Sequence, residues 1–96
     1  MEFVGYEQLS VGTIAVPFGA VPPTATGVLL TIKNDVRLRA DGPVPTQGAN
    51  GVGYLLRDTD GPLHLLGIGQ TGLTALQFVR GGGSNATVYA TYVKEP

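Results

Sequence analysis

The chain has no cysteine and no tryptophan, and only 14% of its 96 residues are charged. Without cysteine there can be no disulfide, no thiol nucleophile and no thiolate-held zinc, and a small secreted fold stapled by disulfides is not expected. Charge of either sign is scarce too. A formal net charge of -1 provides no global attraction to nucleic acid or to an anionic membrane, so neither is expected as a direct partner. No apolar run approaches the roughly 20 residues needed to span a bilayer. The opening MEFVGYEQLS begins acidic and has neither the basic region nor the continuous apolar core of an export signal, so none is expected. Histidine occurs once, which leaves little for metal or acid–base chemistry.

Glycine (15) and proline (7) are plentiful, and 43% of the residues are hydrophobic. That is the composition of a turn-rich folded chain with too much Val, Leu, Ile and aromatic content for disorder. Residues 1–96 are expected to form a single domain. Low surface charge fits a protein that covers part of its surface with a partner or with copies of itself.

The strongest local pattern is VLLTIKNDVRLRADGPVPTQ, residues 28–47. Val28, Leu30 and Ile32 alternate with Leu29, Thr31 and Lys33. Asn34-Asp35 offers a two-residue reversal, and Val36, Leu38 and Ala40 then alternate with Arg37 and Arg39. Read locally, this is a β-hairpin followed by a proline-stiffened loop, with an arginine face turned away from the core. Further strands are expected over 11–16, 54–56, 63–66, 75–80 and 86–93. Glycines at 48, 50-adjacent 51 and 53 keep the backbone permissive after the proline loop, with Asn50 among them, and Gly67, Gly69 and Gly72 separate two apolar runs. Leu73, Leu76 and Phe78-Val79 sketch a short helix as an alternative, but β structure over 75–80 is the preferred reading. Residues 1–10 read either as an edge strand or as an N-terminal arm with Phe3, Val4 and Tyr6 as apolar anchors beside Glu2 and Glu7. The whole is all-β: a compact antiparallel β-sandwich, jelly-roll-like, of seven or eight short strands.

No arrangement points to catalysis, a cofactor or a metal. His64, between Leu63 and Leu65, stands without clustered carboxylates. Asp35, Asp41, Asp58 and Asp60 all sit beside turn residues, where local hydrogen bonding accounts for them. Ser10 and Ser84 have no base beside them and no nucleophile-elbow context. The glycine clusters lack both the dinucleotide spacing and the lysine of a phosphate loop. Arg37 and Arg39, flanked by Asp35 and Asp41, are too few for nucleic-acid recognition and instead suit a protein interface. Phe3, Val4, Tyr6, Arg37 and Arg39 are therefore the candidate interface residues, and no enzyme is expected.

Val36-Arg37-Leu38-Arg39-Ala40-Asp41-Gly42-Pro43-Val44-Pro45-Thr46, then glycines and Tyr54-Leu55-Leu56, resembles small β-rich structural proteins of tailed bacteriophages. Leu76-Gln77-Phe78-Val79-Arg80, a glycine-rich turn and Ala86-Thr87-Val88-Tyr89-Ala90-Thr91-Tyr92 extend the likeness over residues 26–93. The resemblance implies a noncatalytic virion component, such as a capsid decoration or cement protein that stabilises contacts between capsid subunits. The implied partner is the major capsid protein or another virion protein, alongside copies of the chain itself in a homo-oligomer. Tail or neck placement is an alternative. A noncatalytic carbohydrate-binding module is another, although the four tyrosines are separated in sequence and no aromatic platform is visible.

Overall fold

Alternating apolar and polar side chains sort this chain into strands that each bury one face. A computed structural model describes residues 1–47 and 51–96; the expected permissive stretch at Gly48 and Asn50 lies outside the described residues. The strands are β1 (Glu2–Val11), β2 (Val16–Pro17), β3 (Gly27–Lys33), β4 (Val36–Arg39), β5 (Tyr54–Leu56), β6 (Leu63–Leu65), β7 (Gln77–Arg80) and β8 (Ala86–Lys94), with a helix α1 (Gly69–Ala75) between β6 and β7. They form two four-stranded antiparallel sheets, β1-β8-β3-β6 and β2-β7-β4-β5. The pairing is nested: β1 with β8, β2 with β7, β3 with β6 and β4 with β5. Among the described strands, β4 to β5 is the one connection that stays within a sheet; every other connection crosses to the opposite sheet. The fold is the expected compact β-sandwich.

The sheets meet through Val28, Leu30, Val88, Ala90 and Tyr92 on one side and Val36, Leu38 and Phe78 on the other, all buried. Phe18, from the connection after β2, packs its ring 4.9 Å from Phe78 and 5.3 Å from Tyr92. Each Val, Leu or Phe among them removed from water contributes about 1.5–3 kcal/mol, so this shared core is what holds the two sheets face to face.

Three local expectations are corrected. First, β3 and β4 do not form a hairpin: β3 pairs with β6 and β8, and β4 with β5 and β7. A two-residue hairpin at Asn34-Asp35 would set Ile32 opposite Arg37 and Leu30 opposite Arg39, pointing the two apolar sets to opposite faces. Crossing to the other sheet lets both sets enter one core. Asn34 takes the left-handed conformation (φ 66°) and its side-chain amide donates to the Asn85 carbonyl at 2.9 Å, while the Asp35 carbonyl accepts the Gly81 N–H at 2.8 Å. Second, residues 11–16 are not one strand. Val11 closes β1, fully buried against β8, and Val16 opens β2 in the other sheet. The Gly12 carbonyl, between them, accepts the Arg80 N–H at 2.9 Å.

Third, the β structure expected over 75–80 is shorter, because Ala75 ends α1 and the strand starts at Gln77. The glycines read as separators are partly helical. Packing decides this rather than propensity: Leu73 is fully buried from the helix, and Leu76, extended at its end, is buried too. Gly69 (φ 70°) allows the entry, and its N–H reaches the Thr26 carbonyl at 3.0 Å.

Candidate interaction face

In a pleated strand every second side chain points away from the core. On β1 the inward set is Gly5, Glu7, Leu9 and Val11, and the outward set is Tyr6, Gln8 and Ser10, all exposed. The register then lays the outward side chains of the first sheet in rows. Phe3 opposes Val93, which opposes Gly27. Tyr6, Thr91, Leu29 and His64 form the next row, then Gln8, Tyr89 and Thr31, then Ser10, Thr87 and Lys33. Lys33 is the one Lys, Arg, Asp or Glu in these rows. Phe3 and Tyr6 are 69% and 59% exposed. Tyr6 and Tyr89 are diagonal neighbours, a separation of about 7–8 Å that aromatic side chains reach across. The face is broad and nearly uncharged, with two tyrosines, three threonines and Gln8, and with Val93 and Gly27 buried at one end.

Its edge is firmly anchored. Residues 2–11 pair with β8 along their length, with a register shift between Phe3 and Gly5, so they are an edge strand and not a detached arm. Beneath the face, the Glu7 carboxylate accepts the N–H groups of Gly19 at 2.7 Å and Ala20 at 3.1 Å and the Tyr92 hydroxyl at 2.5 Å. One carboxylate thus ties β1 to β8 and to the connection after β2. Burial, and then the neighbouring Glu7 carboxylate, raises the pKa of the Tyr92 hydroxyl above the ordinary tyrosine value, because both disfavour a phenolate. Gly5 belongs here for space: a Cβ at this position would come within 2.7 Å of the Pro22 ring.

Of the five expected interface residues, Phe3 and Tyr6 lie on this face. Val4, at the register shift, is half-buried and packs against the core. The arginines belong to the other sheet. Arg37, expected to be accessible, is buried at 8% exposure. It points away from the core, as alternation requires, but donates from Nη1 to the Gly53 carbonyl at 2.9 Å. Its neighbour Val79 is fully buried, Pro45 is buried, and Arg80 Nε donates to Gln47 Oε1 at 3.1 Å. The described part of the connection between β4 and β5, through Pro45, Gln47 and Gly53, therefore closes over this outer face. Arg39 is half-buried and donates from Nε and Nη2 to the two carboxylate oxygens of Asp41 at 2.7 and 2.6 Å.

Elsewhere, a groove of about 380 Å³ opens beside the edge strands β5 and β6, lined by Leu38, Arg39, Ala40, Tyr54, Leu63, Leu65, Ile68, Gly72 and Leu76. His64 is exposed. Asp60 accepts the Arg57 N–H and Asp35 accepts the Asp58 N–H, each at 3.0 Å, so the turn carboxylates serve the backbone. Among the described residues no group of three or more His, Asp or Glu converges as metal ligands do. Sequence reasoning missed Tyr89 and Thr91 as partners of Tyr6. Their alternation along β8 was visible, but only the pairing of the first strand with the last brings them together. No family model, curated protein or solved structure matches the chain.

Proposed function

We propose that this chain is a noncatalytic structural protein of a tailed-phage virion, a decoration or cement protein seated on the capsid through the outward face of the β1-β8-β3-β6 sheet. The observation that carries the proposal is that face: exposed Phe3 and Tyr6 beside half-buried Tyr89, with a single charge, Lys33, at its margin. Charge-poor, tyrosine-bearing surfaces are what interface cores select, because aromatic anchors bury much area at little entropic cost. The resemblance of residues 26–93 to phage structural proteins supplies the virion setting. The nested strand pairing suits the expected jelly-roll-like wrapping, an architecture used by viral capsid and lectin domains, and this is support by analogy of fold. The test is titration of the protein onto purified undecorated capsids. Saturable occupancy is expected, and Tyr6→Lys should weaken it by about tenfold, the effect of losing a central aromatic contact. Absence of binding by the unaltered chain rejects capsid placement and moves the proposal to the tail or neck.

A second reading has its own observation. Tyr6 and Tyr89, distant in sequence, stand diagonally with Gln8 and Thr91 beside them, a small aromatic platform with amide and hydroxyl groups at its rim. That arrangement suits the apolar face and hydroxyls of a sugar ring. Glycan binding that Tyr89→Ala abolishes, without any capsid binding, would favour it.

A further inference from the structure

We infer that β1 pairs edge to edge with β1 of a second copy of this chain, giving a two-fold dimer in which the β1-β8-β3-β6 sheets join into one continuous sheet. The four strands at the sheet edges are not alike. β2 has two residues, β5 three and β6 three, whereas β1 has ten. Very short edges present few unpaired backbone groups, and edges are otherwise protected by lysine, proline or bulges. β1 has no lysine and no proline, and its one register shift lies between Phe3 and Gly5. From Gly5 to Val11 the strand is regular, and its alternate backbone N–H and C=O groups point away from β8.

The regular segment is also self-complementary. An antiparallel pair centred on Gln8 matches all of residues 5–11 and sets Gly5 opposite Val11, Tyr6 opposite Ser10, Glu7 opposite Leu9 and Gln8 opposite itself. Inward residues meet inward residues, outward meet outward, and no like charges oppose each other, as isologous symmetry requires. Centring on Glu7 would instead oppose two carboxylates. An inward charge can protect an edge from pairing, but the Glu7 carboxylate is already held by Gly19, Ala20 and Tyr92. The inference concerns the chain alone and does not rest on the virion reading.

Because the native chain has no cysteine, a single introduced thiol reports the register. Directly opposed residues in such a pair have Cα atoms about 4.5–5.5 Å apart, inside the disulfide range. Gln8→Cys, exposed on the edge, is compared with Thr31→Cys, exposed on the same face of β3. Under mild oxidation Gln8→Cys should form the disulfide-linked dimer roughly tenfold faster or more, since the dimer holds its thiols at high effective concentration. Sedimentation of the unaltered chain should show a concentration-dependent dimer, and Gln8→Lys should weaken it about fivefold by opposing two cations at the axis, with an unfolding midpoint unchanged at dilutions where both chains are monomeric. A monomer at every concentration would overturn the inference, as would equal cross-linking of the two thiol variants.

Discussion

The two outer faces of this sandwich begin from the same sequence pattern and end differently. On the β1-β8-β3-β6 sheet most side chains that alternate away from the core keep some exposure: Tyr6, Gln8 and Thr31 are exposed and Leu29, Thr87, Tyr89 and Thr91 half-buried, while Val93 is buried. On the β2-β7-β4-β5 sheet Arg37 and Val79 are buried, and Arg37 is bonded to Gly53 of the β4–β5 connection. Alternation tells which side chains leave the core, while a loop folding back decides which of them reach solvent. The charged-looking face is thus structural, and the bland face is available for contact.

Substitutions that treat the two faces alike should separate them most. Arg37→Ala removes a buried guanidinium and its packed stem and leaves the Gly53 carbonyl without this donor, at a cost of about 2–3 kcal/mol. Tyr6→Lys should stay within about 0.5 kcal/mol, the usual range for exposed positions away from packing. Chemical denaturation of both variants checks the contrast. Comparable losses would mean that the faces are equally embedded in the fold.

A smaller effect is expected where the β1-β8-β3-β6 sheet is fastened from beneath. Glu7→Ala should cost about 1–2 kcal/mol, since the buried Tyr92 hydroxyl and two loop N–H groups lose their acceptor. The same site yields a pH dependence. The pKa of Tyr92 is raised by folding, so its contribution is complete below the unfolded tyrosine value of about 10 and is lost as pH rises above that towards the folded value. Thermal unfolding followed into the alkaline range should show this loss in the native chain and not in Tyr92→Phe.

How much of this was readable in the sequence follows the same division. The strands carried by β-branched and aromatic alternation, β3, β4 and β8, were readable because each is a local pattern. Their partners were not. Asn34-Asp35 has the chemistry of a hairpin turn and serves equally well to cross between sheets. One signal was present and unused: in a two-residue hairpin, Leu30 and Ile32 would share a face with Arg39 and Arg37. Phe3 and Tyr6 were identifiable as candidate interface anchors, but their exposure came from the structure, and Tyr89 joined them only through the pairing of β1 with β8. The burial of Arg37 depends on the connection between residues 39 and 54, whose glycines and prolines reveal a loop without revealing where it lies.

The smallest expected effect concerns Arg39 and Asp41, at the point where that covering connection leaves β4. The guanidinium donates two parallel hydrogen bonds to the carboxylate, a fork geometry that favours both charged forms. Those bonds hold the Asp41 carboxyl below its ordinary pKa and raise that of Arg39. The contribution of Asp41 is accordingly present above the unfolded aspartate value of about 3.9 and disappears as pH falls through the lower, folded value. Yet the Asp41 side chain is 64% exposed, and water and salt screen such a pair strongly. Asp41→Asn should therefore leave the unfolding midpoint at neutral pH and physiological salt unchanged within error, and the two proteins should coincide in acid. If the substitution instead lowers the midpoint clearly at neutral pH, and added salt lowers that of the native chain in parallel, the pair is an anchor of the β4–β5 connection. The covering of the second face would then depend on a surface charge pair as well as on the buried Arg37.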